Sequence, residues 1–212
     1  MASEWERWHE GYAPGSPLSL RLEEVQQFVR QALDEQPDGE IRLLSMCAGD
    51  GRDLLGVLPD HPRRDDVTAL LVELDPSLAA RASQRAADLG LHNVSVSNAD
   101  AAMSDAYGDI VPANVLLVCG VFGNITDADV HNTVMHLPEL AAPGATAIWT
   151  RGTFEPDLTS AMRRWFADAG FTERDFTRIP HTTASVGMHT LHAAPRRFDA
   201  GVRLFRFLER SE

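Results

Sequence analysis

The chain has 212 residues, 44% hydrophobic and 24% charged, the balance of a folded globular domain rather than a fibre, a disordered tail or a disulfide miniprotein. Acidic residues number 31 against 19 basic ones, a net charge of −12 that argues against a nucleic-acid partner. No apolar run reaches the roughly 18–20 residues of a spanning helix, and the first residues lack the apolar core of a signal peptide, so no membrane partner is expected.

Residues 1–17 carry Trp5, Trp8, Tyr12, Pro14 and Pro17, too aromatic a stretch for a free tail. Over 18–36, Leu22, Val25, Val29, Ala32 and Leu33 fall on one helical face, and Pro37-Asp38-Gly39 stops the helix. Residues 1–38 therefore read as an N-terminal helical cap. The rhythm then changes. Short apolar runs follow at 41–47, 67–74, 94–98, 113–119 and 145–150, separated by helical patterns at 52–58, 76–89, 127–137 and 157–169. Asp75-Pro76, Thr126 with Asp129, and Glu155-Pro156 mark helix starts. Buried strands alternating with helices predict a doubly wound α/β sheet. The alternation breaks at the end: 171–179 reads as a strand, 180–200 as a long loop, and 201–209 as a last strand pairing antiparallel with its predecessor. The expectation is seven strands, five parallel and then a hairpin, in a single domain over 1–212 whose core spans 41–209.

Every basic residue is arginine, so no lysine is present to form a Schiff base or anchor a phosphate loop. Cys47 and Cys119 lie in apolar stretches, which suits buried thiols in a reducing, cytoplasmic setting. The first strand runs into Ser45-Met46-Cys47-Ala48-Gly49-Asp50-Gly51-Arg52-Asp53, a turn that lets backbone approach a ligand. Leu54 stands where a dinucleotide fingerprint needs its third glycine, which argues against nicotinamide cofactors. Glu73, at the end of the second strand, is placed to accept from ribose hydroxyls, whereas Asp75 reads as a helix cap. Asp100, after the third strand, is placed to accept from an adenine amine. Together these residues outline an adenosine-shaped cleft.

With the glycine loop CAGDG (47–51), LVELDPS (71–77), the Asp100-Ala101 pair and the terminal strand pair, the chain resembles the class I S-adenosylmethionine-dependent methyltransferases. The resemblance implies a mostly parallel sheet in the order 3-2-1-4-5-7-6, strand seven antiparallel, with S-adenosylmethionine as cofactor. It implies cofactor contacts from Ser45, Cys47, Ala48, Gly49, Asp50, Gly51, Asp53, Glu73, Leu74, Asp100, Ala101, Cys119 and Gly120. Two positions depart from the family pattern: Ser45 replaces the usual acid and Cys47 the first glycine. Asp53 and Asp50 are then candidates for the polar contact to the methionine portion.

The strand-four end, Cys119 to Asn124, lacks the Asn/Asp-Pro-Pro-aromatic signature of DNA amino-methyltransferases. The RNA ribose methyltransferase tetrad needs lysines, and no glutamate pair of the protein-arginine type is evident. By elimination the expected acceptor is a small molecule methylated on oxygen or nitrogen. Trp8, Phe122, Asn124 and Arg151 are candidate substrate residues, with Arg151 or Arg196 gripping a carboxylate. His189, His192 and Tyr12 are carried forward as catalytic candidates for moving a proton, from a wider set that includes His9 and His181. His131 and His136 are five apart and share no helical face, so no metal is expected. Two alternatives stand beside methyl transfer: non-methyl use of S-adenosylmethionine (cyclisation or aminocarboxypropyl transfer) and a non-catalytic S-adenosylmethionine-binding module. A homodimer is an open expectation for an enzyme of this size.

Overall fold

The structure, a computed structural model, describes residues 11–153 and 156–208. Helix α1 (Pro17–Asp34) starts where Ser16 accepts the Ser19 amide at 3.1 Å and proline occupies the first helical position. Its stripe of Val25, Phe28, Val29, Ala32 and Leu33 is buried against one face of the sheet. Each of the larger side chains contributes roughly 1.5–3 kcal/mol by leaving water.

The strands are β1 (Ile41–Met46), β2 (Val67–Glu73), β3 (Val94–Asn98), β4 (Ala113–Val118), β5 (Ala141–Gly152), β6 (Phe171–Arg178) and β7 (Ala184–Leu191). Between them lie α2 (Arg52–Leu55), α3 (Pro76–Asp88), α4 (Asp127–Leu140) and α5 (Thr159–Asp168). The sheet order is β3-β2-β1-β4-β5-β7-β6. β1 to β5 pair in parallel, and β7 is antiparallel to both β5 and β6. Helices α1, α2 and α3 cover one face; α4 and α5 cover the other, around Val130, Val134, Leu137, Met162 and Phe166. This is the doubly wound arrangement expected, in the expected strand order.

The identity of the seventh strand is corrected. It is formed by Ala184–Leu191, inside the segment expected to be a loop. β7 is a central strand, buried nearly throughout, and its glycine is a matter of space rather than flexibility. A Cβ on Gly187 would lie 2.4 Å from the Trp149 indole. Residues 201–208 instead form a strap, with isolated bridges Met103–Arg203 and Ile125–Phe207. The Ser104 amide donates to Val202 O (2.9 Å), Leu204 N to Ala102 O (2.8 Å) and Leu208 N to Asn124 O (2.9 Å). Within the strap, Leu204 and Phe205 are buried in the core.

Helix starts follow the capping logic. Asp75 accepts from Ser77 N at 2.9 Å and Leu78 N at 3.1 Å, and Thr126 accepts from Asp129 N at 3.1 Å. The last helix opens two residues later than expected, at Thr159, whose amide donates to Asp157 at 2.9 Å in the turn before the Leu158 cap position. Glu155 lies outside the described residues. The helix expected at 52–58 stops at Leu55 and passes into a 3-10 turn at Leu58–Asp60.

Candidate functional site

A cavity of about 240 Å³ opens at the carboxyl ends of β1, β2 and β4 and beside the turn after β3. Its floor is the loop after β1. The backbone is left-handed at Cys47 (φ 51), Gly49 (φ 58) and Gly51 (φ 74). Cys47 thus adopts the conformation that the usual first glycine would supply. Gly51 has a second constraint, since a Cβ there would lie 2.7 Å from Leu55 and 2.9 Å from Leu71. It therefore lets α2 pack close to β2.

Glu73 ties the floor to β2. Its carboxylate accepts from Gly49 N at 2.8 Å and, through the other oxygen, from Asp75 N at 2.9 Å. Each oxygen keeps a second acceptor position for a ligand hydroxyl. Asp100 accepts the Ala102 amide at 2.9 Å and faces Arg203 at 3.3 Å, so it caps its own turn while lining the cavity. Burial pushes the Cys47 thiol well above the usual range, and the carboxylates of Glu73 and Asp100 push it further. Cys119 is raised by burial and by Asp53, and the Asp53 carboxyl is itself raised by burial. Both thiols are therefore held protonated, which argues against a thiolate nucleophile.

The roof comes from the N-terminal segment. The Tyr12 hydroxyl accepts from Arg21 Nη2 at 2.7 Å, and the Arg52 guanidinium lies 4.0 Å from the Tyr12 ring centroid. Asp50 holds Arg52 from the other side, accepting from Nε at 2.7 Å. Burial raises the Tyr12 phenol to about 12.

The cavity brings together twelve expected residues: Tyr12, Cys47, Ala48, Gly49, Asp53, Glu73, Leu74, Asp100, Ala101, Cys119, Gly120 and Asn124. Others lie elsewhere. Ser45 is buried within β1 between Leu71 and Leu117 of the neighbouring strands. Gly51 caps α2, and Asp50 acts through Arg52. Phe122 is fully buried in the core and contributes its carbonyl to Arg151. Trp8 and His9 lie outside the described residues.

Two catalytic candidates are corrected. His189 is 1% exposed, stacked on Phe166 at 4.4 Å, with its Nδ1 accepting from Trp149 Nε1 at 3.2 Å. It belongs to the core beneath α5. His192 follows the end of β7, and because β7 runs antiparallel that end lies by the amino ends of the parallel strands, away from the cavity. Sequence reasoning missed Arg21, Arg52 and Phe207 in the cavity wall. Arg21 sits on the polar side of α1, which periodicity assigns to solvent. Phe207 was expected within a strand.

A family model described as "Putative methyltransferase" matches residues 17–168. The chain belongs to this methyltransferase family. A search of curated proteins finds no match to the sequence. Solved structures of the same fold include magnesium protoporphyrin IX methyltransferase from Synechocystis with bound S-adenosylmethionine. It is 13% identical, with a TM-score of 0.69, over 90% of this chain and 92% of that one. A possible exported protein from Bordetella parapertussis is 18% identical, with a TM-score of 0.70 over 91% and 80% of the two chains. The CurJ carbon methyltransferase is 15% identical, with a TM-score of 0.64 over 86% and 57%.

This methyltransferase has a second cavity, of about 250 Å³, between the start of α1, the end of β5 and the start of β7. Arg21, Gly120 and Asn124 line both cavities. Arg151, 6% exposed, lines the second, donating to Phe122 O and lying 3.7 Å from Asp127. Among the described residues, no group of three or more His, Cys, Asp or Glu is placed to hold a metal, and no helix is long and apolar enough to cross a membrane.

Proposed function

We propose that this methyltransferase binds S-adenosylmethionine in the first cavity and a small acceptor, methylated on oxygen or nitrogen, in the second. The observation that carries the reading is that the two cavities meet at Arg21, Gly120 and Asn124. The donor set fits the nucleotide. Glu73 offers carboxylate oxygens at the end of β2 for the ribose, and Leu74, 59% exposed beside it, offers an apolar face for the base. A Cβ on Gly120 would meet no atom within 4 Å, so that glycine faces open space where a ligand can approach the backbone. Asp53 and the Gly49 loop lie where an amino-acid tail can be held by a carboxylate and backbone amides.

When bound, the sulfonium supplies an electrophilic methyl group and S-adenosylhomocysteine remains. The chain supplies position. Asn124 holds the β4 turn by donating to Gly120 O at 2.7 Å, and the Gly120 amide donates to Thr150 at 2.8 Å. These bonds fix the wall where the cavities join, and rate gain comes from alignment and exclusion of water. Among the described residues, no histidine lines either cavity. The Tyr12 phenol stays protonated near neutral pH, so it serves the roof rather than proton abstraction. The described N-terminal residues, 11–38, act in this reading as the cap of one catalytic domain, and the two free thiols favour a reducing, cytoplasmic setting.

The test is calorimetric titration with S-adenosylmethionine and S-adenosylhomocysteine, followed by product analysis with candidate acceptors. Micromolar binding of both and release of S-adenosylhomocysteine support the proposal. Methylthioadenosine as the product, or no nucleotide binding by folded protein, refutes it.

A further inference from the structure

Resting on the nucleotide reading of the first cavity, we infer that Phe207, carried on the strap, is a nucleotide-binding residue whose ring packs against the purine. Among the described residues, two aromatic side chains line this cavity, Tyr12 and Phe207. Tyr12 belongs to the roof. Its ring carries the Arg52 guanidinium at 4.0 Å, its hydroxyl accepts from Arg21, and Asp53 acts on it from the amino-acid side of the cavity. Phe207 is the aromatic at the other end.

The strap places it there. Arg203 Nη1 lies 3.3 Å from Asp100 Oδ2, in the turn after β3, and four residues later Phe207 bridges to Ile125, beyond the end of β4. Four residues of chain reach at most roughly 14 Å, so the ring stays near the acid placed for the adenine amine. The backbone is clamped on both sides of the ring. Leu204 N donates to Ala102 O at 2.8 Å, Asn132 Nδ2 donates to Leu204 O at 2.7 Å, and Leu208 N donates to Asn124 O at 2.9 Å. Phe205, 1% exposed, meets the Phe207 ring edge to face with centroids 5.4 Å apart. The ring is therefore held in position before a ligand arrives, which reduces the ordering that binding must impose. With Leu74 it supplies apolar surface in a wall that also carries Glu73, Asp75 and Asp100. A flat purine covers such surface and gains by stacking on the ring.

The experiment titrates the full chain and three variants with S-adenosylhomocysteine by calorimetry, beside thermal melts without ligand. Phe207→Leu keeps an apolar side chain and removes the ring; Phe207→Tyr and Phe207→Trp keep an aromatic face. The leucine variant should bind about tenfold more weakly, the scale of one base–aromatic contact, while the tyrosine and tryptophan variants stay within about threefold of wild type. In Phe207→Trp, S-adenosylhomocysteine should also quench indole emission by more than it does in the wild type, because a purine then stacks on the added ring. If the melts show Phe207→Leu to be unfolded, this quench decides. Unchanged affinity in folded Phe207→Leu, or no added quench in Phe207→Trp, overturns the assignment. An equal loss in all three variants makes Phe207 a packing residue of the strap and overturns it too. Failure of the folded wild-type chain to bind S-adenosylhomocysteine overturns the parent reading and this one with it, whereas normal wild-type binding with an unaffected leucine variant overturns this one alone.

Discussion

The Glu73 carboxylate reaches from the end of β2 to accept the Gly49 amide at 2.8 Å, so one side chain holds the glycine loop in place before any ligand arrives. The same group accepts from Asp75 N at 2.9 Å, at the start of α3. Glu73→Ala should therefore act twice. It orphans two backbone donors, and it weakens nucleotide binding by roughly 1–3 kcal/mol. Glu73→Gln, which keeps one carbonyl acceptor, should retain more stability than affinity. Thermal melts beside calorimetric titration with S-adenosylhomocysteine separate the two effects. Unchanged affinity in folded Glu73→Ala would remove Glu73 from the site.

Cys47 stands at φ 51, where side chains with a Cβ are strained by about 1–2 kcal/mol. Cys47→Gly relieves that strain at the expense of a half-buried thiol, so folding should be retained with nucleotide affinity close to wild type. Cys47→Val places a β-branched residue in the same conformation and should cost about 2 kcal/mol or more. Denaturant midpoints for the two variants, compared with wild type, provide the check. A valine variant as stable as the glycine variant would contradict the left-handed backbone.

His189 gives the fold an acid limit. Burial lowers its imidazole from 6.5 to about 4, while Glu173, 3.6 Å from Nε2, pulls it up and Arg163 pushes it down. The folded chain holds this histidine neutral, and the unfolded chain protonates it below about pH 6.5. Its contribution is therefore present in full above pH 6.5 and is lost as pH falls from 6.5 towards 4. The linkage is worth roughly 3 kcal/mol at most. Urea unfolding at pH 7 and pH 5 should show the loss, and His189→Gln should flatten it. An equal loss in the variant would assign the acid limit to other groups.

Gly187 predicts a packing failure. With a Cβ 2.4 Å from the Trp149 indole, Gly187→Ala forces the ring or the strand to move and should destabilise by about 1–3 kcal/mol. A thermal melt reads the loss, and near-ultraviolet dichroism reports the displaced indole. A melt unchanged from wild type would mean that β7 does not press on Trp149.

That glycine also explains where sequence reasoning stopped. Strands β1 to β5 were legible because each is a short apolar run next to a capped helix, as Asp75 and Thr126 illustrate. β7 was hidden. Its glycine and its histidine, ordinarily signs of a loop, are there because Trp149 and Phe166 fill the space beside them. The alternation in 201–209 promised a strand, yet Leu204 and Phe205 bury themselves in the core while the segment makes only isolated bridges to Met103 and Ile125. In the site, the cofactor residues from Cys47 to Ala101 follow from local strand-end patterns. Arg21 and the exclusion of His189 depend on which face the antiparallel strand and α1 present, and that is a tertiary property.

The strap has a consequence in time. Phe207 lines the nucleotide cavity, and Leu208 donates to the Asn124 carbonyl, so residues from near the end of the sequence close a site founded on β1 and β2. Loops of that span are slow to close. During synthesis the glycine loop and Glu73 emerge first and wait, and the cavity acquires its last wall only once Phe207 has followed them. A nascent chain can thus carry a well-formed sheet centre and still lack a finished site.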